Sequence, residues 1–256
     1  MLILISPAKT LDFKKEEVPK EHSLPPFLDE SSKLIERLRQ FTPNDITSLM
    51  KVSEKLAHLN YERFQDWHIP FTRENAKAAI MAFTGDVYEG LNAREFNDDQ
   101  FTYAQKHLRI LSGLYGILKP LDLIQPYRLE MGTPLHTSRG NNLYQFWDNA
   151  ITDAINESIK NEKEPVILNL ASQEYFKSIN EKELKARVIT PVFKELRGDK
   201  YKIISFSAKR ARGLMVNYII KNKFHKAEAI KAFDLEGYSF NEALSSHDEF
   251  VFTRVK

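Results

Sequence analysis

Short apolar runs that stop abruptly at small or polar residues set the strongest limit on how this 256-residue chain folds. Leu2-Ile3-Leu4-Ile5 stops at Ser6-Pro7. AAIMAFTGD (78–86), LRILSG (108–113), PVILNLAS (165–172) and YKIISFSA (201–208) have the same form. Runs of this length with little alternation read as buried strands. RVITPVFKEL and the terminal FVFTRV add two more.

Between the strands the apolar spacing changes to the helical period. Leu28, Leu34, Ile35, Leu38 and Phe41 predict a helix over 28–41. Thr42-Pro43 supplies a cap with proline at the first helical position. Leu56, Leu59, Tyr61, Phe64 and Trp67 mark another helix, ended before Pro70. Leu143 through Ile159 predicts one helix over 142–160. Strands and helices alternate without a fixed period, which argues against a repeat architecture. The expectation is an α/β, or mixed α+β, fold: a mixed sheet flanked by helices. No Gly/Ser linker divides residues 1–256, so one domain is expected.

Composition removes several function classes. The formal net charge is +2, too balanced for a polycation, though the distribution of charge matters more than its sum. With no cysteine there is no disulfide, thiolate nucleophile or iron–sulfur ligation. MLILIS is too short for a signal sequence, and no apolar run approaches the ~20 residues that span a bilayer. The expectation is a cytoplasmic protein without a membrane partner.

Three segments could carry chemistry. SPAKTLDF (6–13) puts Lys9 and the hydroxyls of Ser6 and Thr10 at a strand exit, where α/β folds build sites. A surface lysine is the commoner explanation. In SFSAKRARG, Lys209, Arg210 and Arg212 fall in the first turns of a predicted helix, against the dipole. An anion opposite them would account for that; neighbouring acids such as Glu174 or Glu195 would do so too. The third segment is LRILSGLYGILKPLDLIQPYRLEMGT. Gly113 and Gly116 bracket a turn whose N–H groups could approach a phosphate backbone, with Lys119 close by. Tyr115 or Tyr127 could stack on a base beside Arg128. A packed turn, with Arg128 meeting Glu130, fits the same residues.

Asp86 and Glu89 suit acid–base work or Mg²⁺ ligation, and equally an N-cap with a first-turn acid. No phosphate-binding glycine loop, dinucleotide fingerprint or zinc-protease motif occurs. The seven histidines are scattered without ligand spacing, so neither a metal site nor a cofactor is expected.

The chain resembles the YaaA family of bacterial peroxide-stress proteins over essentially its full length. The resemblance rests on ISPAKTLDF, AIMAFTGDVYEGL, LRILSGLYGILKPLDLIQPYRLEMGT, LYQFW, VILNLASQEYFK, AKRARGLMVNYII and FDLEGYSF, in that order. It implies a mixed α/β fold with a helix-hairpin-helix-like element and a positively charged cleft. It also implies a role in limiting iron-dependent DNA damage, and binding to duplex, branched or partly unpaired DNA without sequence preference. No established reaction comes with it.

Two readings follow. In the first, a monomeric DNA-binding protein uses Lys9, Lys119, Arg128, Lys209, Arg210 and Arg212 on phosphates. Gly113 and Gly116 give the backbone close approach, and Tyr115 stacks. In the second, an enzyme acts on a small phosphorylated or nucleotide substrate in the same cleft, with Asp86 or Glu89 as acid or base. A groove as wide as a duplex favours the first; a pocket of small-ligand size favours the second.

Overall fold

A computed structural model describes residues 1–14, 19 and 21–255. The chain opens with β1 (Leu2–Ile5) and the two-residue β2 (Thr10–Leu11). Three helices follow: α1 (Leu28–Leu38), α2 (Pro43–Met50) and α3 (Glu54–Asp66). Next come β3 (Lys77–Ala78), the single-turn α4 (Ala79–Ala82), β4 (Phe83–Thr84), α5 (Asp86–Leu91) and α6 (Asp98–His107). β5 (Leu108–Ser112), β6 (Gly116–Leu118) and β7 (Leu123–Ile124) precede α7 (Leu143–Trp147) and α8 (Ala150–Ile159). Then follow β8 (Val166–Asn169), α9 (Gln173–Phe176), β9 (Arg187–Arg197) and β10 (Lys200–Lys202). The last elements are α10 (Ser205–Asn222), β11 (Ser239–Phe240) and β12 (Glu249–Arg254).

The main sheet has eight strands in the order β11-β12-β9-β8-β1-β5-β6, with β10 added to β9. β12, β9, β8, β1 and β5 are mutually parallel; β6, β10 and β11 join antiparallel. This is the expected mixed α/β sheet. β1 is central because it is apolar on both faces: Ile3, Leu4 and Ile5 are fully buried. Each such side chain contributes roughly 1.5–3 kcal/mol on leaving water.

Local chemistry agrees with the helix starts. Thr42 and Asp45 form a reciprocal capping box around Pro43, and Asn97 with Gln100 does the same for α6. On α1 the buried stripe is Leu34, Ile35 and Leu38, as the spacing predicts.

Four expectations need correction. AAIMAFTGD is not a strand of the sheet. It is one helical turn between two-residue strands, with Ala79 and Ile80 N–H donating to the Asp122 and Pro120 carbonyls. A run buried on every side is apolar whichever conformation it takes. The predicted 142–160 helix is two helices, broken at Asp148, which takes a left-handed φ of 43°. YKIISFSA is strand only to Lys202, and α10 starts at Ser205, so Lys209, Arg210 and Arg212 lie in its second turn, away from the helix start.

The fourth correction concerns the glycine turn. Gly113 to Gly116 joins the antiparallel strands β5 and β6, not two helices. The segment is therefore no helix-hairpin-helix.

Candidate functional site

From β1 the chain winds out to β5 on one side, then returns across β1 to β8 on the other. In open parallel sheets a crevice forms at the carboxyl ends of strands where the winding reverses. Here Ser6 leaves β1 and Ser172 follows β8. Ser6 Oγ accepts the Ser172 backbone N–H at 2.8 Å, and the two hydroxyls lie 3.2 Å apart.

A cavity of about 510 Å³ opens over this edge. Its floor includes Ser6, Leu170 and Ser172. One wall is the segment Tyr127–Glu130, another the turn from Thr84 to Tyr88, and α10 contributes Lys209 and Arg212. Four cations (Lys9, Arg128, Lys209, Arg212) and three carboxylates (Asp86, Glu130, Glu174) line it.

Two glycines bring α10 to that wall. A Cβ at Gly213 would lie 1.8 Å from the Val87 carbonyl oxygen, and one at Gly90 would lie 2.3 Å from that of Arg210. Their absence lets α5 and α10 cross in direct backbone contact. Asp86, at the start of α5, and Arg212 consequently line the same cavity.

The cations differ in their partners. Glu130 Oε2 takes Lys9 Nζ at 2.6 Å, while its Oε1 takes Arg128 Nη2 at 3.0 Å. Arg63, on α3, is pushed below its ordinary pKa by burial and by the charge of Arg128. Burial also lowers the pKa of Arg212, and among the described residues no carboxylate pairs with it or with Lys209. A half-buried cation without a directly paired carboxylate is costly, and an incoming anion relieves that cost.

The phenols of Tyr88, Tyr127 and Tyr175 are neutral hydrogen-bonding groups. Burial, and then the neighbouring phenol charges, raise the pKa of Tyr88 and Tyr175; burial does the same for Tyr127. Tyr88 Oη donates to the Ser6 carbonyl at 3.0 Å, and Tyr127 Oη shares a 2.7 Å hydrogen bond with Ser112 Oγ. Glu174 Oε1 accepts the Gly132 N–H. Among the described residues no histidine lines the cavity, and no group of three or more His, Asp or Glu side chains stands ready to hold a metal ion. The arrangement suits binding of an anion that also carries hydrogen-bond donors for the carboxylates.

Of the residues singled out in the sequence, Lys9, Arg128, Lys209 and Arg212 meet here. Arg210 does not: it turns to Glu236 Oε1 at 2.7 Å. Lys119 is carried off because β6 runs back antiparallel towards the amino end of β5; its N–H caps Asp122. Gly113 and Gly116 face protein: a Cβ on the first would lie 2.3 Å from the Leu129 carbonyl oxygen, on the second 2.9 Å from the Trp147 ring. Tyr115 is fully buried, its hydroxyl accepting Trp67 Nε1–H, so it is core rather than contact. Tyr127 is 4 % exposed and cannot stack on a base without repacking.

Ser172, Tyr88 and Tyr175 also line the cavity, though no motif in the sequence singles them out. The one signal, for Ser172, is the shared form of ISPAK and NLAS, two strand exits that parallel pairing sets side by side.

The fold and cavity define a class: an α/β protein with a mixed-charge, anion-suited pocket at the reversal point of a largely parallel sheet. Residues 1–244 match the family model described as peroxide stress protein YaaA. A protein of Saccharophagus degradans called UPF0246 protein is 55 % identical over 254 residues, 99 % of each chain. A protein of the same description from Colwellia psychrerythraea is 54 % identical over the same share. The chain belongs to the YaaA family of peroxide stress proteins.

Proposed function

We propose that this peroxide-stress family member binds DNA through its backbone phosphates and seats one unpaired nucleotide in the cavity. The observation that carries this reading is Lys209 and Arg212, three residues apart on α10, both lining the cavity and both without a carboxylate partner among the described residues. A volume of about 510 Å³ is in the range of small-ligand pockets, so it accepts a nucleotide and not a duplex. Partly unpaired and branched DNA then bind better than continuous duplex, without sequence preference, since backbone contacts carry no base information. The protein acts as a monomer in the cytoplasm and protects DNA during peroxide stress.

The test is an electrophoretic shift panel of duplex, bubble and junction DNA, repeated across salt. Affinity falls with a log–log slope of about −0.9 per duplex phosphate contact and about −0.7 per single-strand contact. Salt-independent binding, or an Arg212→Ala variant that binds as tightly as wild type, would overturn it.

The small-ligand size of the cavity, about 510 Å³, also suits a second reading, an enzyme acting on a small phosphorylated or nucleotide substrate. Among the described residues the Ser6 and Ser172 hydroxyls have only each other and backbone as partners, so an acid or base for that reading would be Asp86, which lines the cavity, and not Glu89, which does not. A thermal-shift screen with nucleotides, followed by product analysis for any that stabilise, separates binding from turnover.

A further inference from the structure

The four cations of the cavity form two pairs. Lys209 and Arg212 have no carboxylate partner among the described residues. Lys9 and Arg128 share one: Glu130 gives one oxygen to each, and Arg128 spends both Nε and Nη2 on it, at 3.3 and 3.0 Å. We infer that Glu130 is a specificity-determining residue, a built-in competitor that holds Lys9 and Arg128 until an incoming phosphate takes its place. The inference rests on the cavity being the anion site of the reading above.

Carboxylate and phosphate make the same demand on a guanidinium fork. While Glu130 occupies that fork, a passing anion meets only Lys209 and Arg212, and meets Glu130 as a repelling charge. An anion that reaches deep enough to replace Glu130 gains all four cations. Such a repulsive element discriminates between ligands more than attraction alone. The exchange needs little rearrangement. The Lys9 side chain is 63 % exposed and its pair with Glu130 is weak; the Arg128–Glu130 pair is more enclosed, and is the contact an incoming phosphate has to match. The backbone beneath Glu130 is fixed, because Gly113 packs on the Leu129 carbonyl and Gly132 N–H is held by Glu174. Only the Glu130 side chain has to turn.

The test is a double-mutant cycle of Glu130→Gln with Lys9→Ala. Binding is read by fluorescence anisotropy of a labelled single-stranded oligonucleotide and by calorimetry with a nucleoside monophosphate. Glu130→Gln is expected to bind about fivefold to tenfold more tightly at low salt, with a slope steeper by about 0.7 per freed phosphate contact. Lys9→Ala should cost less than about twofold in the wild-type background and about fivefold in the Glu130→Gln background, the signature of coupled residues. Folding is checked by circular dichroism and melting. If Glu130→Gln does not fold, Glu130→Asp, which retracts the charge from Lys9, should tighten binding in the same direction. Equal or weaker binding by the folded variant, or the same Lys9→Ala cost in both backgrounds, overturns the inference. Wild-type protein that binds no oligonucleotide ends the DNA reading, and the monophosphate cycle then decides this one. A folded Glu130→Gln protein that binds neither probe overturns it.

Discussion

Gly213 of α10 rests on the carbonyl oxygen of Val87 in α5 so closely that a Cβ at 213 would lie 1.8 Å from it. Neither backbone can yield without moving its helix. Gly213→Ala is therefore expected to cost about 3 kcal/mol or more, at the upper end for overpacking, and to reduce anion binding by shifting Arg212. Chemical denaturation measures the first and anisotropy the second. A stable variant with normal affinity would show that the crossing is not what places the cavity wall.

Arg212 and Arg210 should behave oppositely despite their proximity in sequence. Arg212→Ala removes a half-buried cation without a carboxylate partner, so binding falls at least about tenfold while the melting temperature stays level or rises. Arg210→Ala removes an ion pair to Glu236 outside the cavity. Its effect on binding stays within about twofold, and its effect on stability within about 1 kcal/mol. Parallel titrations of the two variants check both.

Tyr115→Phe tests whether the tyrosine of the glycine turn is core. Its hydroxyl accepts both Trp67 Nε1–H and Gln125 N–H at 3.1 Å. Losing that acceptor leaves two buried donors unpaired, at about 2 kcal/mol or more. Oligonucleotide affinity should not change. A loss of affinity with full stability would return Tyr115 to the binding surface.

Two buried carboxyls give opposite pH dependences. Burial raises the pKa of Glu195, but the Ser207 hydroxyl and the Arg254 and Arg197 guanidiniums outweigh it, bringing it from 4.5 down to about 2. Its stabilisation is present above about 4.5 and is lost as pH falls towards 2. Glu195→Gln should thus cost roughly 2–3 kcal/mol at neutral pH, because Arg254 loses the nearer of its two carboxylates and keeps only Glu236, and much less near pH 2. Asp122 is fully buried, and burial raises it from 3.8 to about 6 despite hydrogen bonds from Ser23 and the Lys119 N–H. Its ionisation costs stability as pH rises from about 3.8 to about 6. Asp122→Asn should raise the melting temperature at pH 7 relative to wild type and change it little at pH 4. Melting curves across pH 2 to 8 decide both.

Much of the frame is legible in the chain itself. Leu2 to Ile5, LRILSG and PVILNLAS are strands because continuous apolar runs ending at small residues have few other uses. Thr42-Pro43 and the Leu34, Ile35, Leu38 stripe mark helices for equally local reasons. Lys9, Arg128, Lys209 and Arg212 were visible as cations beside strand exits. What could not be read was their company. Which of three adjacent cations faces inward depends on how α10 is rotated against α5, and Gly90 and Gly213, distant in sequence, set that rotation together.

The sequence by itself determined the mixed α/β class and the bounds of its plainest strands and helices, because propensity, period and capping act over a few residues, and its ordered motifs carried the family resemblance. Only the tertiary structure decided that Gly113, Tyr115 and Gly116 are packing residues, that Arg210 and Lys119 point elsewhere, and that Glu130 sits between two cations of the cavity. Those outcomes depend on contacts between segments tens to more than a hundred residues apart. A side chain's charge is written in its own codon, but its counter-charge is fixed only by the fold.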